Sequence, residues 1–482
     1  MSKKYSRRSF LGTASCAAVG STTFFSTLFN LQSMSAASMS NARYLGGGGE
    51  DYRALVCIML GGGNDAYNML IPTSTSHYNE YQNTRSNLAL ARNTLLQLNP
   101  TAYNEKELGL HPAMTELKGL FDQGKLALIN NVGTLVEPTN KSGYNNGAKL
   151  PFGLFSHADQ DQQWQTSVPQ TKSPTGWGGR LADLVQSANS NQDISMNISL
   201  SGKNVFQLGQ QASEYSILPT GSGSVGITGF EGESTFNQLR TGAVKSLMEQ
   251  QYQDVFKKSY AGVVDASQNT HELFSAAVGD TPNLTTTFSE TELSQSLQMV
   301  ARTIKVRKEL GAKRQTFFVR FDGWDHHDEV LNNQAQMLGI LSKAMSEFQT
   351  ALGELNVEDC VTTFTTSDFA RTLTSNGNGT DHAWGGSVLV MGSKVKGKEI
   401  YGSYPSLHLN TDIEVGGGVI IPKISTDEYF AELALWYGVS KGDLVTLFPN
   451  IGNFYNTMSS ACLLYTSPSP RDATLSRMPS SA

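Results

Sequence analysis

Four stretches of the chain combine residues able to do chemistry at short spacing. Three stand directly after apolar, strand-like runs: Gly62-Gly63-Asn64-Asp65-Ala66-Tyr67-Asn68, Asp322-Gly323-Trp324-Asp325-His326-His327-Asp328 and Ser367-Asp368-Phe369-Ala370-Arg371. The fourth, Gly379-Thr380-Asp381-His382, follows in a glycine-rich loop. Carboxylates mixed with imidazoles suit zinc, manganese or iron better than calcium, which prefers an all-oxygen shell. Each cluster alone has a plainer explanation. A Gly-Asn-Asp turn is ordinary loop chemistry, and Asp325-His326-His327 reads equally well as a solvated turn. The chain holds only 8 histidines, and two adjoin Asp325 while a third adjoins Asp381, so the joint pattern favours a metal or catalytic centre.

The elements that must position these clusters alternate between strand and helix. Ala54–Leu60 is a continuous apolar run ended by Gly61, Gly62 and Gly63, as expected of a strand buried on both faces in a parallel-type sheet. A helix is expected from about Pro112 to Gln123, followed by a strand over Leu126–Asn130. Ser289 and Glu292 have capping-box spacing ahead of a helix whose Leu293, Leu297, Val300, Ile304 and Leu310 share one face. Strands over 316–321, 361–366 and 387–391 and a helix over about 329–355 complete the pattern. Residues 190–280, rich in Ser and Gly turns, read as an insertion or cap. This is an α/β arrangement, and in an open α/β sheet the carboxyl ends of the strands meet at one edge, where the Asp and His residues would converge.

For a nucleophile the sequence offers Ser156, with His157 beside it, where 157–165 could begin a helix whose N-terminal amides favour an anion. The structural alternative is that Ser156 is only an N-cap, with Asp159 in the first turn. Arg371, one turn beyond Asp368, could clamp an oxyanion or phosphate, or simply pair with a neighbouring Asp. Trp177 and Trp384 either line a cleft or pack in the core. No GxGxxG, Walker or kinase motif stands in a strand-to-helix context, so nucleotide-dependent redox chemistry and ATP hydrolysis have no support.

The ordered motifs Gly62-Gly-Asn-Asp-Ala-Tyr-Asn-Met-Leu-Ile-Pro72, His111-Pro112 with Leu126–Gly133, Phe155-Ser-His157 with Trp164, Thr175-Gly-Trp-Gly-Gly-Arg180, Gly323–His327, and Ser367–Thr372 with Gly379–His382 resemble the bacterial family of uncharacterised proteins called DUF1501. The resemblance covers about residues 50–455. That family is similar to the alkaline phosphatase and sulfatase superfamily, which implies a three-layer α/β sandwich with a mostly parallel sheet, and one or two divalent ions, zinc or manganese. It implies metal ligation by Asp65, Asp368 and His382. Asp325 and His327 occupy the family's Trp-Asp-x-His position and are the favoured pair, whereas Asp322 and His326 reproduce the superfamily's Asp-x-x-x-His spacing. Phe369 departs from the phosphatase pattern, standing where a metal-binding His would follow the Asp, which weakens the case for a second ion. No Cys-x-Pro-x-Arg sequence is present, so the formylglycine route of sulfatases is not expected.

The ends of the chain read separately. Residues 1–37, with Arg7-Arg8 and a mildly apolar run, look like a twin-arginine export signal, which implies passage through that translocase to the periplasm or beyond, with no stable membrane anchor. Residues 38–50 have the composition of a flexible linker. From Cys462 to Ala482 the chain reads as the in-frame translation of sequencing adapters, leaving residues 51–461 as one domain. The formal charge of the 482 residues is -6. Removing four basic residues with the signal and one net positive charge with the tail leaves about -11, which offers no attraction to nucleic acid. Of 4 cysteines, Cys57 and Cys360 remain, expected as free thiols. The expected activity is an exported metal-dependent hydrolase of phosphate or sulfate esters, small or polymeric. The rival is a secreted binding or structural protein on an eroded hydrolase scaffold.

Overall fold

The computed structural model describes residues 51–455 apart from 231, 251 and 280–283, and the expected signal, linker and adapter-like tail lie outside the described residues. The chain begins with β1 (Arg53–Gly61), followed by β2 (Leu70–Pro72), β3 (Leu96–Gln97) and β4 (Leu108–Leu110), which form a small antiparallel sheet. Then come β5 (Leu126–Gly133), β6 (Asn197–Ser199), β7 (Tyr215–Ser216), β8 (Arg314–Asp322), β9 (Val361–Ser367), β10 (Gly386–Met391), β11 (Glu399–Tyr401) and β12 (Ile424–Ser425). With β1 these make a 9-stranded sheet in the order β11-β5-β10-β9-β1-β8-β6-β7, with β12 also on β5. All pairings in this sheet are parallel except those of β10, which runs against both β5 and β9.

The larger helices are α1 (Thr115–Asp122), α2 (His157–Thr166), α3 (Trp177–Val185), α4 (Thr235–Glu249), α5 (Val255–Gly279), α6 (Glu292–Lys305), α7 (Val330–Glu354) and α8 (Thr426–Tyr437). Alternate residues of β1 enter different cores. Ala54, Val56, Ile58 and Leu60 pack into one with residues of α1, α6 and α7, while Leu55, Cys57 and Met59 pack into the other with residues of α2, α3 and α8. The result is a three-layer α/β sandwich. A strand covered on both faces has no need of a polar side, which is why the β1 run shows no alternation.

The start of α6 differs from the sequence expectation. The N-cap of α6 is Thr291, whose side chain accepts from Ser294 N at 3.3 Å. Ser289 is drawn instead to Glu347 on α7, donating through Oγ at 2.5 Å and through its backbone N–H at 3.1 Å. A carboxylate takes both donors of Ser289 as charge-assisted bonds, so the helix starts two residues later. A complete capping box does exist, at Ser425 and Glu428 of α8. Within 190–280, the strands β6 and β7 extend the main sheet beside β8, while α4 and α5 form a helical pair. The Cys57 thiol is buried, with Sγ 3.6 Å from Thr366 Oγ1.

Candidate metal centre

The register of the three central strands sets the site. Gly61 lies opposite Asp322, and Leu60 lies opposite Ser367, so β1, β8 and β9 end together and deliver their loops to one place. Behind β8 the chain is pinned by two backbone bonds to Gly61 O, from Gly323 N and Trp324 N, each 3.1 Å, and by the fully buried Trp324 ring. Gly62, at φ +118°, makes room for this turn, because a Cβ there would lie 2.5 Å from the Asp325 N–H nitrogen. Gly62 N also donates to Asp368 Oδ2 at 3.1 Å, tying the ends of β1 and β9.

Three imidazoles and one carboxylate meet above these strand ends. His157 Nε2 and His382 Nε2 lie 3.0 Å apart, as do His327 Nε2 and His382 Nε2. Asp325 reaches His327 Nε2 at 3.1 Å, His157 Nε2 at 3.3 Å and His382 Nε2 at 3.4 Å. One ligand atom each from His157, Asp325 and His382 falls within 4.8 Å of the others. On the far side of each ring, Nδ1 meets an acceptor: Asp368 Oδ2 at 2.7 Å for His157, Phe155 O at 2.9 Å for His382 and Asp381 Oδ1 at 3.2 Å for His327. A carbonyl or an ionised carboxylate only accepts, so each Nδ1 carries the hydrogen. In the neutral rings every Nε2 is then a bare lone pair, and these lone pairs are directed at one another and at Asp325. That arrangement is repulsive unless a proton or a metal cation stands among them, and outer-sphere acceptors on Nδ1 are the usual way of orienting metal-binding histidines.

The electrostatics follow from the same contacts. The hydrogen bond that His157 donates to Asp368 raises the pKa of His157 against the effect of burial. Burial lowers that of His382, helped by the neighbouring His157. Burial works against ionisation of Asp325, but the bond and charge of Arg371 outweigh it and hold the carboxyl below its ordinary value. Arg371 has no solvent exposure. It donates to Asp325 Oδ1 at 2.5 Å, to Thr380 Oγ1 at 3.2 Å, to Gly62 O at 3.4 Å and to Thr380 O. Its guanidinium is therefore directed into the protein, in the ion pair with a neighbouring Asp. Phe369 packs its ring 4.7 Å from those of both His157 and His382.

The remaining candidates separate from the cluster. Asp65 is fully buried and paired with Arg85, itself fully buried, and neither belongs to the ligand group. Asp322 turns to solvent and accepts from Arg320 Nε at 2.6 Å, while His326 is buried beside Trp324, so Asp325 and His327 are the pair that faces the cluster. Ser156 is the N-cap of α2, its Oγ accepting from Asp159 N at 3.4 Å. Trp177 and Trp384 are both buried in the core. Sequence reasoning placed His157 only as a neighbour of Ser156 and passed over Asp161. These two stand four apart on α2, a spacing that puts both on one helical face. Asp161 is held by Arg320 Nη1 at 2.5 Å, and burial together with the charge of Asp368 raises its pKa.

The family described as "Protein of unknown function (DUF1501)" matches residues 52–416. No curated protein matches. Among solved structures, the chain is similar to Ps i-CgsB (TM-score 0.35, 10% identity, covering 83% of this chain and 77% of that one). It is also similar to the PsFucS1 sulfatase from Pseudoalteromonas sp. (TM-score 0.34, 7% identity, covering 86% and 72%) and to the lipoteichoic acid synthase LtaP from Listeria monocytogenes (TM-score 0.28, 7% identity, covering 80% of each). Among the described residues, no helix is long and apolar enough to cross a membrane.

Proposed function

Because this chain belongs to the DUF1501 family, whose description assigns no reaction, we propose from the chemistry of its site that it is a metal-dependent hydrolase of phosphate or sulfate esters. The observation that carries the proposal is the set of Nε2 lone pairs on His157, His382 and His327 converging with the Asp325 carboxylate. These residues fit one divalent ion, zinc or manganese, held by His157, Asp325 and His382 with His327 within reach. Such an ion, when bound, supplies positive charge that polarises an ester oxygen and lowers the pKa of a hydroxyl beside it.

The chain's own residues prepare that chemistry. Asp368 fixes the His157 proton on Nδ1, and the Phe155 carbonyl does the same for His382, so both rings present Nε2 outward. Arg371 orients Asp325 and keeps it ionised. Asp325 and His327 are 43% and 46% exposed, which leaves an approach for a small or polymeric ester from solvent. The first amides of α2 favour an anionic group there. Ser156 is the proposed nucleophile, and its 3.4 Å capping contact leaves the hydroxyl loosely held. Its Oγ would bond to phosphorus or sulfur as the ester oxygen departs with a proton, and water would then release the group. The proposal includes export through the twin-arginine translocase, on the strength of Arg7-Arg8 and the run that follows.

One feature favours a second reading, a secreted binding or structural protein. The Phe369 ring occupies the position beside Asp368 where a second ion would need an imidazole. Elemental analysis separates the two. The hydrolase should carry about one ion per chain, lost in His157→Ala and Asp325→Ala, whereas a content under about 0.2 would sink it. Turnover of aryl phosphate and aryl sulfate then tests Ser156. Ser156→Ala should lose about 1 kcal/mol of stability with the cap and should abolish turnover; unchanged turnover removes the nucleophile role.

A further inference from the structure

We propose that α4 and α5 are a self-association surface, and that the occupant of their apolar face is a second copy of this chain. On α5, Phe256, Val263 and Thr270 recur every seven residues, with Tyr260 four residues after Phe256 and Phe274 four residues after Thr270, so they share one helical face. The C-terminal part of that face is docked on the body: Phe274 and Val278 are fully buried, and Thr270 is 7% exposed. Its N-terminal part overhangs, leaving Phe256 82%, Tyr260 73% and Val263 60% exposed. The stripe that holds the helix to the protein therefore continues, uncovered, for two more turns.

The partner helix has the same character. Only Thr241 of α4 is buried, while Phe236, Leu239 and Leu247 are 72%, 71% and 58% exposed and recur at 3, 8 and 11 residues along one side. Between the two helices lies a cavity of about 550 Å³ lined by Val244, Leu247, Met248, Tyr252, Phe256 and Tyr260.

Three considerations select a second copy. The six exposed side chains leave roughly 800 Å² open per chain, about what one partner contributes to a standard stable interface and more than monomers usually leave uncovered. Two packed helices that each expose an apolar side form half of a four-helix bundle, which two-fold pairing completes. The charges on this segment nearly cancel: Arg240, Lys245, Lys257 and Lys258 stand against Glu233, Glu249, Asp254, Asp265 and Glu272. Two copies can meet without like-charge repulsion, and an anionic bilayer gains no attraction.

The test is the solution mass of the full chain, by light scattering after gel filtration at about 10 µM. The expected result is twice the chain mass. Phe256→Glu and Leu239→Glu, both at solvent-exposed positions, should each weaken association by about 100-fold or more while far-UV dichroism and metal content stay unchanged. As a second line, Ser259→Cys on the exposed side of α5 should form a disulfide-linked dimer under mild oxidation, which the parent chain should not. A monomeric parent chain, a dimer that survives both glutamate variants, or a monomer that co-floats with zwitterionic vesicles would each overturn the proposal. The readout is mass, so it is independent of whether the metal centre hydrolyses esters.

Discussion

At the scale of single residues, the chemistry depends on which face of an imidazole is tied down. Asp65 shows the opposite fate for an aspartate at a strand end: it is turned inward to neutralise Arg85, with both side chains fully buried. Asp65→Asn should therefore cost about 3–5 kcal/mol, because a buried guanidinium is left without its counter-ion, yet leave the metal content unchanged. Urea unfolding and elemental analysis on the same sample check both halves. His111 makes a pH-dependent contribution. Its Nδ1 accepts from Ala113 N at 3.0 Å, and burial pushes its pKa down to about 4. The unfolded ring protonates near 6.5 and the folded one resists until about 4, so stability is complete above about 6.5 and falls on acidification through that window, by on the order of 3 kcal/mol. His111→Asn should flatten this dependence, and an unchanged slope would assign it elsewhere. The sequence already marked Asp325, His327, Asp368 and His382, because each follows a strand-like run or a glycine loop. It did not mark His157 as a candidate ligand, since only the packing of α2 over the strand ends brings that ring to Asp325. Nor could it show that Asp65 faces Arg85, a contact between residues on two different elements.

At the scale of elements, burial pattern decides what a sequence reveals. The run that forms β1 and the face that forms α6 are both readable, since each is buried along its length: Leu293, Leu297, Val300 and Ile304 are at most 2% exposed. Direction is another matter. Nothing in Ser387–Met391 distinguishes a strand running with its neighbours from β10, which runs against them, because side-chain alternation is the same either way. The three residues of β6 are too few to show a period, although they extend the sheet beside β8. Caps within two residues of each other are decided by tertiary partners, as Ser289 and Glu347 illustrate. Here a mutant cycle is informative. Ser289→Ala and Glu347→Ala should be strongly non-additive in denaturant midpoint, whereas Thr291→Ala should cost about 1 kcal/mol and add to either. Additivity between Ser289 and Glu347 would return the cap to Ser289.

At the scale of the whole molecule, the site is an outcome of sheet assembly, since its candidate ligands come from the loop after β8, the loop before β10 and the start of α2. The loop that carries Asp325 and His327 is placed by the register of β1 between β8 and β9. That register also orders events in time. Arg53 lies opposite Arg314 and Ala54 opposite Val361, so the strand made first must wait, unpaired on both edges, until most of the chain has left the ribosome. Pairings so distant along the chain are slow to form, and the exposed edges and the apolar run of β1 are at hazard meanwhile. A nascent chain stopped before Val361 should thus be bound by chaperones and unable to take up metal, and the centre is completed only as a late step of synthesis.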